Sequence, residues 1–157
     1  MTAPVPDRYP LAFQLYPYRH SPDQDAAAPA RHKVIVVGGG PVGLAMALDL
    51  GRQGVPVLLL DDHEGAGLGS RALCFSKRTL EICDRLGAAK PMLDKGVRWN
   101  LGKVFHDDRL LYEFNLLPEE GHAFPAFINL QQPLFEKFLF DAILAAQADG
   151  APIEVRG

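Results

Sequence analysis

The chain has 157 residues, 48% of them hydrophobic, and its 16 basic against 19 acidic residues leave a formal net charge of -3 at pH 7. That balance suits one soluble globular domain, and with Lys and Arg scattered rather than gathered in a stripe it excludes the basic face of a nucleic-acid binder. No apolar run approaches the roughly 20 residues of a membrane span, and the N-terminus lacks the basic-then-apolar order of a secretory signal, so the expectation is a cytoplasmic protein with no membrane partner.

Residues 1–32 hold six of the thirteen prolines and show neither helical nor strand periodicity. They read as a Pro-rich N-terminal arm. Tyr9, Phe13, Tyr16 and Tyr18 leave open whether this arm is a floppy terminus or lies along the domain surface. Cys74 and Cys83 stand outside any Cys-x-x-Cys spacing and have no Cys or His cluster nearby, so both read as buried thiols, and no metal site is expected.

Regular structure begins at Lys33. "KVIVV" is a short β-branched run of the kind found in a central parallel strand covered on both faces. In "PVGLAMALDLGRQG" the residues Val42, Leu44, Ala45, Leu48 and Leu50 mark a helix, with Pro41 suited to its first turn and Gly54 to its stop. "VPVLLLDD" is a second apolar run, which makes residues 33–62 a strand, helix, strand unit.

The glycines between the first strand and the helix fall in the order Gly38-x-Gly40-x-x-Gly43. The first permits a tight turn, the second lets the backbone approach a diphosphate, and the third lets helix and strand pack closely. With Pro41 and Val42 they form a loop whose following helix offers free N–H groups and a partial positive charge to phosphates. Asp61 follows Gly43 by eighteen residues, at the tip of the second strand, where a carboxylate can accept from an adenosine ribose. Asp62 is the weaker ribose candidate, because one step along a strand turns the side chain to the other face. An acid here disfavours the 2′-phosphate of NADP, while NAD and FAD share the fingerprint.

In "GLGSRALCFSKRTLEICDRLG" the Gly-rich loop leads through Arg71 to Ser76, an N-cap for a helix whose apolar stripe is Leu80, Cys83 and Leu86 and whose stop is Gly87. Arg78, Lys77 and Arg85 read as surface. "GKVFHDDRLLYEFNL" alternates about the turn "HDDR" and predicts a β-hairpin at about residues 103–116. His106 and His122 have no positioned partner in the sequence and are given no acid-base role. Trp99, Phe105, Phe114, Phe124 and Phe127 read as core. In "INLQQPLFEKFLFDAILAAQADG" a strand end runs into a long helix with Pro133 in its first turn, Leu134, Phe135, Phe138, Leu139, Ala142 and Ile143 on the core face and Gly150 as its stop. Gln132 stands at the mouth of this helix, and Glu136 is assigned to its positive end.

Three stretches, "VIVVGGGPVGLAMALDLGRQGVPVLLLDD", "GSRALCFSKRTLEICDRLG" and "FINLQQPLFEKFL", together resemble the class A FAD-dependent aromatic monooxygenases, relatives of p-hydroxybenzoate hydroxylase, and within them the hydroxyphenylpropionate and pentachlorophenol hydroxylase-like branch. The resemblance covers most of residues 33–148. It implies an α/β fold with a Rossmann-like FAD-binding domain over residues 33–157 and, in the hairpin, the beginning of a β-rich substrate domain. The implied function is hydroxylation of a small phenolic or aromatic substrate with FAD, O2 and either NADH or NADPH. Arg71 is implied to lie against the flavin dinucleotide, and the Gln132 amide against its ribityl or diphosphate part. Family members are much longer and carry a second Gly-Asp flavin motif absent here, so the chain is expected to be a truncated N-terminal portion, with "PIEVRG" a strand entering a further domain and with no catalytic residue assigned. Two other readings of the same residues are a small NAD-binding dehydrogenase domain and a non-catalytic interaction module.

Overall fold

The computed structural model describes residues 13–66 and 72–157. In chain order the elements are a short 3-10 turn Pro22–Gln24, β1 Val34–Val37, α1 Pro41–Arg52, β2 Val57–Leu60, β3 Cys74–Ser76, α2 Lys77–Arg85, α3 Ala89–Lys95, β4 Val97–Trp99, β5 Leu101–His106, β6 Arg109–Asn115, β7 Phe127–Asn129, α4 Gln132–Ala148 and β8 Ile153–Arg156. They divide into two compact units, Met1–Arg71 with Gln132–Gly157 and Ala72–Gln131. Among the described residues no helix is long and apolar enough to cross a membrane.

The first unit is built on a parallel sheet of order β1-β2-β8. Val34 pairs with Val57 and Val57 with Ile153. The expected strand, helix, strand unit is thus present, and the closing segment adds a third parallel strand to it. β1 is not the central strand that its composition suggested. β2 is, with Val57, Leu58 and Leu59 buried, while β1 lies at the edge with Ile35 50% and Val37 82% exposed. An unbroken β-branched run records the hydrophobicity of a strand but not its place in the sheet.

α1 packs against α4. Leu44, Ala47 and Leu48 of α1 and Leu139 and Ile143 of α4 are fully buried, as helical spacing requires. Val42 is exposed, and Phe138 and Ala142 are only half-buried. Burial of this apolar surface is the main favourable contribution to the unit, at about 25 cal/mol per Å² removed from water.

Residues 13–25 lie along this unit rather than trailing from it. Gln14 forms an antiparallel bridge to Gly65, and the Leu15 and Tyr16 amides both donate to the Glu64 carbonyl, at 3.0 and 3.2 Å. Further along, Ser21 caps the Pro22–Gln24 turn. The Arg156 guanidinium, at the end of β8, donates to Ser21 Oγ at 2.8 Å and to Asp23 Oδ2 at 2.7 Å. Asp23 is held below the usual carboxylate range, first by the Ala30 amide it accepts and next by Arg156.

The second unit holds an antiparallel sheet of order β3-β7-β4, helices α2 and α3, and the expected hairpin β5-β6, which turns at Asp107 with φ +48°. Ser76 caps α2 by accepting from the Thr79 amide at 3.4 Å, and Leu80, Cys83 and Leu86 form the buried stripe. Burial pushes the Cys83 thiol up to about 11. Cys74 is not a buried thiol: it is exposed on β3, an edge strand of three residues. Phe105 and Phe114 likewise are not core, at 55% and 38% exposed, because the described residues give the β5-β6 ribbon no third strand. Trp99 stacks on Phe127 with ring centroids 5.2 Å apart and donates through its indole N–H to Asn129 Oδ1 at 2.9 Å. His106 is exposed at the end of β5, and His122 Nδ1 lies 2.7 Å from Lys77 Nζ.

Candidate functional site

The glycine turn begins where the β1-β2 ladder ends. The Gly38 amide makes the last ladder bond, to the Leu60 carbonyl at 2.7 Å, and Gly38 then turns at φ +108°, a conformation that disfavours a side chain. Gly40 is the N-cap of α1 and has no side chain with which to cap it, so the N-terminal end of the helix is left to external partners. A Cβ built on Gly40 would meet nothing within 4 Å, and the same holds at Gly38. The backbone therefore faces open space that a side chain would fill. Gly43 differs, because a Cβ there would collide with the Gly38 carbonyl oxygen and stand 3.4 Å from Val36 Cγ1. The three glycines thus separate into turn, approach and packing roles. Pro41 occupies the first helical turn, and Val42 is 81% exposed beside it.

Asp61 stands one residue beyond β2, and its amide carries the β2-β8 ladder one step further by donating to the Arg156 carbonyl at 3.1 Å. Its side chain is 11% exposed. Oδ2 accepts the Gly39 amide, and Oδ1 accepts the His63 amide at 2.7 Å. The carboxylate thereby braces the glycine turn from the next strand; Oδ1 also lies 3.3 Å from His63 Nδ1, while Oδ2 keeps a second lone-pair direction for a ligand hydroxyl. Asp62 is 91% exposed, with the His63 ring beside it, Nδ1 to Oδ1 at 2.6 Å. The two neighbouring acids thus differ sharply in exposure, as side chains on opposite faces of a strand do.

Gln132 opens α4 and donates through Nε2 to Glu136 Oε1 at 2.7 Å. Glu136 does not serve an exposed helix end: it is 3% exposed, one turn in, and takes the amide of Gln132. Arg71 lies outside the described residues.

Tyr16 is a member of this site that sequence reasoning missed. It is 5% exposed, its hydroxyl donates to the Gly39 carbonyl at 3.1 Å, and its ring meets Phe140 edge-on with centroids 5.4 Å apart. Burial, then the charges of Asp61 and Glu136, raise its pKa far above the usual phenol value, so the hydroxyl stays a donor. A Cβ on Gly39 would run into this hydroxyl and stand 2.9 Å from Asp61 Oδ2. The middle glycine of "GGG", Gly39, which the G-x-G-x-x-G spacing leaves unassigned, is the signal in the sequence for it.

A turn open at Gly40, an uncapped helix end and a braced carboxylate fit the adenosine diphosphate half of FAD. Comparison with known proteins agrees. Residues 31–156 match the family model described as FAD binding domain. Pentachlorophenol 4-monooxygenase of Sphingobium chlorophenolicum is 35% identical over 110 residues, 68% of this chain and 19% of that protein. A probable NADH-specific resorcinol 4-hydroxylase of Rhodococcus jostii (strain RHA1) is 32% identical over 115 residues, 70% of this chain and 21% of that protein. Among solved structures, the flavin-dependent monooxygenase PieE in complex with FAD and substrate superposes with a TM-score of 0.67 at 27% identity, over 83% of this chain and 24% of that one. The chain spans about a fifth of the length of the two curated relatives described.

Proposed function

The chain belongs to the FAD binding domain family, and from that premise we propose that it holds the adenosine diphosphate half of FAD in a monooxygenase that hydroxylates phenolic or related aromatic compounds. When bound, FAD supplies the redox chemistry, taking electrons from NADH or NADPH and passing them to O2. The residues described above bind and orient the group. Gly38 and Gly40 admit the diphosphate to the backbone, and the N-terminal end of α1, flanked by Pro41 and Val42, supplies partial positive charge to it. Gly43 keeps that helix against the turn. Asp61 accepts from the ribose hydroxyls, Gln132 reaches the diphosphate or ribityl part, and Arg71 brings a forked cation to the phosphates. Asp62 stays with His63.

The phenolic substrate class is supported by the named relatives, two of which carry a phenol in their names. The NADH-specific relative supports a nicotinamide donor. A cytoplasmic place of action goes with such a donor. The single observation that carries the reading is the open backbone at Gly40, next to a Gly39 amide held by the Asp61 carboxylate of the neighbouring strand.

The test is an FAD titration of the chain and two variants. Asp61→Ala should weaken binding by about 1–3 kcal/mol, the range for a hydrogen bond to a charged group. Asp62→Ala should leave it within about 0.5 kcal/mol, as for an exposed side chain. Equal losses in the two variants would remove Asp61 from the site.

A further inference from the structure

We propose that the N-terminal arm is a working part of the cofactor site, in which Tyr18 and Arg19 form the outer wall of the cavity that receives the adenine and Tyr16 positions the glycine turn behind it. The proposal rests on the FAD reading above.

A cavity of about 740 Å³ opens where β2 and β8 end, with Leu60, Asp61 and Gly157 lining it from the sheet and Tyr18 and Arg19 from the arm. The carboxyl ends of parallel strands are where ligands of open α/β sheets bind. A nucleoside entering there needs an acceptor for its ribose and a flat partner for its base. Asp61 is the acceptor. Tyr18 is 52% exposed, with its hydroxyl 3.3 Å from Gln24 Oε1, and Arg19 offers a planar guanidinium. Both side-chain types stack on bases with little regard to sequence or substitution of the ring.

The two residues are held in place by clamps on either side. On the N-terminal side Gln14 bridges Gly65, and Leu15 and Tyr16 donate to the Glu64 carbonyl. On the C-terminal side Ser21 and Asp23 take the Arg156 guanidinium. Between the clamps Tyr16 is fastened to the Gly39 carbonyl, on the same turn that Asp61 braces through the Gly39 amide. The arm, the acid and the turn therefore form one connected structure. A segment that merely covered the sheet would not need a buried tyrosine on the glycine turn or an arginine clamp beside the cavity.

The experiment compares the intact chain with the double variant Tyr18→Ala/Arg19→Ala, titrated with FAD by flavin fluorescence and with ADP by calorimetry. The expected result is a loss of about tenfold in affinity for both ligands, toward the lower end of the range for removing a base-stacking side chain. The urea midpoint of the unliganded protein should be unchanged, because both side chains stand at the rim. In the intact chain, amide hydrogen exchange over residues 14–24 should slow when ADP is added. If Asp61→Ala loses affinity while the double variant keeps it, or if exchange in the arm is indifferent to ADP, the arm is not part of the site. If the intact chain binds neither ligand, the FAD reading itself falls, and the proposal with it.

Discussion

Gly43 does a job that no other residue type can do. A Cβ there meets a backbone carbonyl oxygen, that of Gly38, and a backbone atom cannot swing aside as the end of a side chain can. Gly43→Ala should therefore lower the stability of the unliganded protein by about 1–3 kcal/mol, the usual cost of forcing extra volume into a packed site. Chemical denaturation of the variant without cofactor measures this, and an unchanged midpoint would mean that helix and turn are not in close contact. Gly40 is the opposite case, since a side chain there finds open space in the free protein. The motif spacing made the turn, the open position and the close-packed position of the three glycines legible, since each rests on local backbone geometry. Tyr16 was not legible, because its role comes from a contact across 23 positions that no periodicity announces. Cys74 was misread for a related reason. An apolar-looking residue before a helix can sit on an edge strand, and the edge is defined only by what pairs with it.

At the level of elements, helices were the most readable, because stop and start signals coincide with the amphipathic stripe. α2 begins at its capping Ser76, buries Leu80 and Cys83, and closes before Gly87 at φ +76°. Ser76→Ala removes the acceptor for the Thr79 amide and should cost about 1 kcal/mol. Urea unfolding followed by helix circular dichroism reads that loss, and a variant as stable as the parent would show that the cap is not used. Strands were less readable. β1 and β2 are both wholly apolar, yet among the described residues β2 is buried between two neighbours and β1 has one. The β5-β6 ribbon was found from its alternation and turn, while the burial of its phenylalanines was not, since alternation marks two faces without saying what covers either. The arm was the least readable element. Its proline content and lack of periodicity describe a segment without a core of its own, and its order comes from Glu64, Gly65 and Arg156, which are far away in sequence.

Across the first unit, the parallel sheet carries the glycine turn at one edge and the acid on the next strand. In the proposed function FAD is held here by its adenosine diphosphate end. The most direct measurement is a parallel titration of the intact chain and Gly40→Val with FAD, ADP and FMN, which share the relevant parts in different combinations. FAD and ADP should bind the intact chain and compete with each other, and FMN, lacking the adenosine, should bind far more weakly. Gly40→Val should bind none of them while unfolding near the same denaturant concentration as the parent, since its side chain enters the space meant for the diphosphate. FMN binding as tightly as FAD, or undiminished FAD binding by a folded Gly40→Val protein, would contradict the proposed function.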